Sequence, residues 1–190
     1  MGNLVLNGAT SGATTLTPTD ASTQTITLPA STGTIITTGS PQSGGVIQVV
    51  STTYTTQTSS TTTSSYVDTG LTASITPKFA TSKILVIVSQ QIEQNVTSSY
   101  NNAGIALQIV RNSTAIFTNT GNYGAMYQYF STLAVTGRGL ASMVSMAVLD
   151  SPATTSSTTY KTQGQTGNSG TMYFQASSGG SSITLMEIAG

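Results

Sequence analysis

The chain has 190 residues, with five Lys or Arg balanced by five Asp or Glu, no His and no Cys. A charged share of 5%, against the roughly 25% of ordinary soluble domains, leaves no field for nucleic acid or anionic lipid, whose recognition needs Lys and Arg in number. Without imidazole or thiolate there is no disulfide framework, no usual zinc site and no Ser/His/Asp or Cys/His catalytic unit, so neither a metal nor a cofactor is expected.

The first residues, Met1 to Asn7, carry no basic n-region and no long apolar h-region, and no signal peptide or membrane span is read there. From Leu4 to Thr38 short β-like pieces alternate with turns: Leu4-Val5-Leu6, Asn7-Gly8, Thr14-Thr15-Leu16, Pro18, Thr25-Ile26-Thr27-Leu28, Pro29 and Thr34-Ile35-Ile36. Asn-Gly is a strong tight-turn signal, and Thr-Ile-Thr-Leu follows the strand period of two. A module below about 40 residues, with no disulfide or metal, usually needs oligomerisation. Several copies are therefore expected to wrap around a common axis. Residues 39–45, Gly-Ser-Pro-Gln-Ser-Gly-Gly, are a linker by composition, and residues 46–190 are expected to form a separate knob.

The knob opens with a strand at Val46 to Val50. The Thr/Ser tract from Thr52 to Ser65 follows, and either a solvent-facing edge strand or a loop suits it. Val67 to Pro77 alternates Leu71, Ala73 and Ile75 against Thr72, Ser74 and Thr76. Lys83 to Ser89 is an unbroken apolar run, too short for a membrane and rich in β-branched residues, and predicts a central strand buried on both faces. Its best partner by pattern is Ser182 to Ala189, with Ile183, Leu185 and Glu187 on one face and Thr184, Met186 and Ile188 on the other. Further strands are expected at Gly104 to Arg111, Thr114 to Thr118, Phe130 to Val135, Leu140 to Leu149, Thr158 to Gln163 and Thr171 to Ala176. For Leu140 to Leu149 a helical turn or two is the alternative. Eight or nine short strands punctuated by Gly, Asn and Ser/Thr clusters predict an all-β, antiparallel, jelly-roll-like sandwich.

Few residues stand out as sites. Tyr123, Met126, Tyr127, Tyr129 and Phe130 form the densest aromatic cluster; it is either a platform for a sugar or another protein, or a core or trimer contact. Gly137-Arg138-Gly139 places a lone Arg in what reads as a solvated turn. The glycine-rich stretch from Gly164 to Gly170 has no Lys and no Walker spacing, so it is expected to be a hairpin turn, not a phosphate cradle. The five carboxylates, Asp20, Asp68, Glu93, Asp150 and Glu187, show no pairing in sequence. A glycosidase would need two of them about 5 to 9.5 Å apart, and no hydrolase activity is expected.

Leu4-Val5-Leu6-Asn7-Gly8, the Thr-rich pieces after it and the stretch from Ile26 to Ile35 resemble the N-terminal module of many bacteriophage virion proteins. Ser74 to Lys78, Ser82 to Val86, Tyr160 to Gly164 and Ile183 to Ile188 look like the C-terminal knobs of the same proteins. The resemblance covers nearly the whole chain. It implies a homotrimer with a short β-stalk over residues 1–38 and a jelly-roll knob, located on the virion, with no catalytic residue.

Two roles fit that resemblance. The first is a capsid cement, or decoration, protein whose N-terminal segment clamps neighbouring major capsid proteins by strand addition; Leu4, Leu6, Ile26, Leu28 and Ile35 are then the partner-binding residues. The second is a short tail fibre attached to tail proteins, with a knob that recognises a host surface glycan. Tyr123, Tyr127, Tyr129 and Phe130 are the candidate knob interface in either case.

Overall fold

Period-two alternation, abundant Thr and β-branched residues, and Gly or Asn at the breaks leave this chain little choice but strands. The structure is a computed structural model that describes residues 4–7, 13–16, 41–63, 65–96, 102–119, 121, 123–129, 138–167 and 170–190. The chain divides into two compact units, Met1–Ile36 and Thr37–Gly190. In the first, β1 (Leu4–Asn7) and β2 (Ala13–Leu16) pair antiparallel, Leu4 opposite Leu16 and Asn7 opposite Ala13. Gly8, expected to form a tight turn with Asn7, lies outside the described residues. Ile26, Leu28, Ile35 and Phe130, and the strand expected from Phe130 to Val135, lie outside the described residues.

The second unit contains β3 (Val46–Tyr54), β4 (Thr58–Ser60), β5 (Val67–Ile75), β6 (Lys83–Val96), β7 (Asn102–Arg111), β8 (Thr114–Thr118), β9 (Met126–Tyr129), β10 (Arg138–Asp150), β11 (Thr158–Thr166), β12 (Thr171–Phe174) and β13 (Ser181–Ile188). They form two antiparallel layers. In the first, β6 is flanked on one side by β10 along almost its whole length. Its other side is shared end to end by β13 and β12, which pair in turn with β3 and β4. In the second layer β11 lies between β5 and β7, and the far edge of β7 is shared by β8 and β9. The fold is thus the all-β, jelly-roll-like sandwich that the alternation predicts.

Local chemistry explains the breaks. Gln175 and Ser177 take left-handed backbone angles, φ 54° and 51°, around the single 3-10 turn Ala176–Ser178 that separates β12 from β13. Two segments expected to be turns are strands. Arg138 and Gly139 pair with Val96 and Asn95 as the start of β10. Gly164 to Thr166 complete β11, and the residues after them carry the chain from one layer to the other instead of closing a hairpin. Gly164 is tolerated in that strand because the Phe174 ring fills the space its side chain would take: a Cβ there would lie 2.3 Å from Phe174 Cζ.

The core sits between the layers. Leu71, Ile75, Ile105, Leu107, Ile109 and Tyr160 from the second layer meet Ile84, Val86, Ile92, Phe174, Ile183 and Leu185 from the first, all buried; each large apolar side chain so placed contributes roughly 1.5–3 kcal/mol. A chain so poor in bulky residues also buries hydroxyls and amides, and several of these satisfy one another. Thr69 and Thr162 hydroxyls lie 2.6 Å apart, Thr162 donates to Gln90 Oε1 at 2.8 Å, and Gln90 Nε2 donates to Ser181 Oγ at 3.0 Å. Gln94 bridges the layers in the same way, donating to Thr166 Oγ1 at 2.7 Å and accepting from the Gly104 N–H.

The central strand departs from expectation on one face. Ile84, Val86 and Val88 are buried as predicted, but Leu85 is half-buried and Ile87 is 41% exposed. The reason is topological: the second layer covers the inner face of β6, and among the described residues no element of this chain covers its outer face.

Candidate functional site

Five charged side chains are engaged structurally. Arg111, at the end of β7, donates from one guanidinium nitrogen to both Asp150 oxygens at 2.8 and 2.9 Å, and the Tyr160 hydroxyl donates to Asp150 Oδ2 at 2.7 Å. Burial, reinforced by that carboxylate, pushes the Tyr160 phenol far above its ordinary value, so it stays a donor at any working pH. Asp68 pairs with Lys161 at 2.8 Å and accepts from Gln163 at 2.7 Å. Burial alone would raise the Asp68 carboxyl, but Lys161 and Gln163 outweigh it and hold it low. Glu187 is buried and bound by Gln48 and the Lys78 and Phe79 backbone. Among the described residues no three carboxylates gather as a metal site would require.

Two hollows open on the surface. One of about 540 Å³ is lined by Pro41, Ile47, Lys78 and Phe79, and one of about 220 Å³ is lined by residues that include Asp68, Thr72 and Lys161. In the second, the acid and the base neutralise each other. In the first, Lys78 is the sole ionisable group, so neither hollow offers the paired carboxylates that glycoside hydrolysis uses.

Three of the four predicted knob-interface aromatics lie within the described residues, and the structure brings two of them into contact. Tyr123 and Tyr127 meet edge to face, ring centres 5.3 Å apart. Tyr123 is pinned by donating to the Gly167 carbonyl at 3.2 Å and accepting from Asn102 at 3.3 Å. Met126 alone turns inward; Tyr127 and Tyr129 share the other face of β9 and are 54% and 56% exposed. Tyr127 and Tyr129 are therefore not core and stand at one edge of the second layer, while Met126 belongs to the core. Gly104 makes room for the cluster, since a Cβ there would stand 2.2 Å from Tyr123 Cδ1 and 2.7 Å from the Met126 carbonyl oxygen. Gly104→Ala is expected to displace the Tyr123 ring and to cost about 1–3 kcal/mol, read as loss of the near-ultraviolet tyrosine signal at temperatures where far-ultraviolet signal persists.

A second surface was not singled out by composition or motif. The outer face of the first layer presents Val49, Met186, Leu85 and Leu149 side by side across four strands, because the register sets Val49 opposite Met186, Met186 opposite Leu85 and Leu85 opposite Leu149. The next row is Ser51, Thr184, Ile87 and Ala147, with Ser51 and Thr184 hydroxyls 3.0 Å apart. Val46, Val49, Met143 and Leu149 are each more than half exposed. The signal was present in the sequence: Leu85 and Ile87 at odd positions of β6, and Met186 and Ile188 at even positions of β13, put apolar side chains on the face opposite the core.

No protein-family model matches the chain, and no curated protein matches it. Among solved structures, the chain is similar to the infectious bursal disease virus VP2 subviral particle, with 16% identity, a TM-score of 0.33, and coverage of 79% of this chain and 39% of the other. It is similar also to T=1 particles derived from infectious bursal virus, with 12% identity, a TM-score of 0.32, and coverage of 97% and 44%. A third is the Gx strain of infectious bursal disease virus, at 14% identity, a TM-score of 0.33, and coverage of 87% and 42%. The chain spans less than half the length of these structures.

Proposed function

We propose that the chain is a structural protein of a phage particle, a trimeric capsid cement that clamps neighbouring major capsid proteins through its N-terminal segment. One observation carries the reading. Among the described residues, Val46, Val49, Ile87, Met143 and Leu149, five of the seven large hydrophobic residues left exposed, stand on one sheet face, while every described Asp and the buried Glu187 are spent on internal bonds. Such a molecule is equipped to pack against protein surfaces. The paired strands β1 and β2 support the clamp, since each pairs with the other alone among the described residues and so has an edge to offer a partner sheet. Leu4 and Leu6, two apart on β1, fall on one side of it.

The test removes residues 1–38 and offers the remaining unit to capsids stripped of the protein. Loss of decoration is expected, and binding of the intact chain should change little between 50 mM and 500 mM salt, because strand addition and apolar burial do not rest on ion pairs. Full decoration by the truncated chain, or an intact protein found only at the tail, would overturn the cement reading. The alternative is a short tail fibre, and the exposed Tyr127 and Tyr129 favour it, because neighbouring aromatic rings can stack on a sugar. Copy number per particle separates the two, a cement being present in hundreds and a fibre in tens at most.

A further inference from the structure

We infer that the outer face of the first layer, the surface made by β3, β13, β6 and β10, is where a second copy of this chain docks, an inference that rests on the multimeric reading above. Three observations lead to it. The first is the mismatch on β6: its run from Ile84 to Val88 is apolar on both faces but, among the described residues, is covered on one face only, and Leu85 and Ile87 stand on the side left open. A strand of this composition belongs in a structure with layers on both sides.

The second is charge. Among the described residues, the only Asp, Glu, Lys or Arg side chains on this face are Lys83 and Glu93, at opposite ends of β6 and about 33 Å apart at strand rise. A partner bearing charges would have to desolvate them against Val, Leu, Ile and Met with nothing to pair them. A second copy of this chain, with 5% charged residues, brings little such cost. It is neutral, it carries hydroxyls such as Ser51 and Thr184 that already bond to each other, and it is present at the chain's own concentration.

The third is area. Four strands at about 4.8 Å spacing, followed from Lys83 to Gln91, give a face of roughly 20 by 25 Å, on the order of 500 Å². A second copy laid on it removes about 1,000 Å² from water in all, counting both partners, the size at which a contact becomes a specific interface. The apolar part of the face is the rows through Leu85 and Ile87, since the row through Ser89 sets Ser182 and Ser145 beside it. Beside it, β10 runs 13 residues with one paired side among the described residues, and no Pro interrupts it; an edge that long is usually covered or interrupted.

The chain has no cysteine, so any thiol introduced is the only one, and this gives a test that needs no disruptive substitution. Val49 and Tyr127 are almost equally exposed in the isolated chain, 53% and 54%, but lie on opposite layers. Purified V49C and Y127C proteins are treated with a maleimide under native conditions at micromolar concentration. The thiol at position 49 is expected to react at least ten-fold more slowly than that at 127. In parallel, the Ile87→Glu/Leu149→Glu variant is expected to fall to monomer by light scattering while keeping its β-sheet spectrum, with Tyr127→Glu unchanged in mass. If the wild type is trimeric and both thiols react at equal rates, the docking face is wrong and the trimer stands. A wild type that is monomeric at micromolar concentration overturns both, whereas the decoration experiment tests the cement role whatever the docking face.

Discussion

Truncation of Phe174 to alanine is expected to cost about 3–5 kcal/mol, the largest single loss available from this core. The side chain is fully buried, belongs to β12 in the first layer, and lays its ring on Gly164 of β11 in the second. It thus closes the sandwich where β12 has only four residues to hold it. The converse substitution strains the same contact: in Gly164→Ala the new methyl would fall 2.3 Å from Phe174 Cζ and 2.7 Å from Cε1, an overpacking worth about 1–3 kcal/mol. Because both changes act on one contact, Gly164→Ala combined with Phe174→Leu is expected to cost clearly less than the two singles added. Urea unfolding of the four proteins at one fixed concentration measures this, fixed because association would otherwise shift the midpoints. Additive costs would mean that ring and glycine do not share the site.

How much of this was legible beforehand follows from what each signal encodes. Strict alternation at Leu71, Ala73 and Ile75 and at Ile183, Leu185 and Glu187 reports which side of a strand is wet, and those strands and faces came out as read. The pairing of β13 with β6 was legible for the same reason. Runs apolar on both faces are ambiguous in a way alternation is not. Lys83 to Ser89 says that both faces prefer burial, but not that one chain supplies both covers, and here the described residues supply one. Glycine misled twice. It signals a turn when its positive φ is needed, yet Gly164 and Gly139 are extended, the first emptied of a side chain to admit a ring from 10 residues away in sequence. That contact is tertiary and leaves no local mark. The tyrosines were visible as a cluster, but Met126 facing in and Tyr127 facing out depends on β9 pairing with β7 at the sheet's edge, which periodicity over four residues cannot specify.

Acid is expected to loosen the fold through one carboxylate. Glu187 sits on the core side of β13, where it accepts from Gln48 Nε2 at 2.5 Å and from the backbone N–H groups of Lys78 at 2.7 Å and Phe79 at 3.3 Å. Gln48 reaches on to the Thr76 carbonyl at 2.7 Å, so the carboxylate ties β3, β13 and the loop between β5 and β6 into one unit. Burial by itself would raise its proton affinity, but these donors outweigh burial and hold the group below its ordinary value of 4.5. A carboxyl that binds its proton more weakly folded than unfolded stabilises the fold fully above the ordinary carboxylate range. That stabilisation declines as the pH falls below it and is gone once the folded form is also protonated. Glu187→Gln keeps the shape and one acceptor but turns an amide N–H₂ toward donors, and Glu187→Ala leaves the loop N–H groups with no acceptor. At pH 7 the expected losses are about 1.5–3 kcal/mol for the first and somewhat more for the second. Asp68 is held low as well, so the wild type and both variants share its contribution, and the difference between them isolates Glu187. Stability of wild type and Glu187→Gln, measured by urea unfolding from pH 7 down to pH 2.5, should therefore converge as the pH drops. Curves that stay parallel across that range would show that the charge on Glu187 contributes nothing to holding the loop in place.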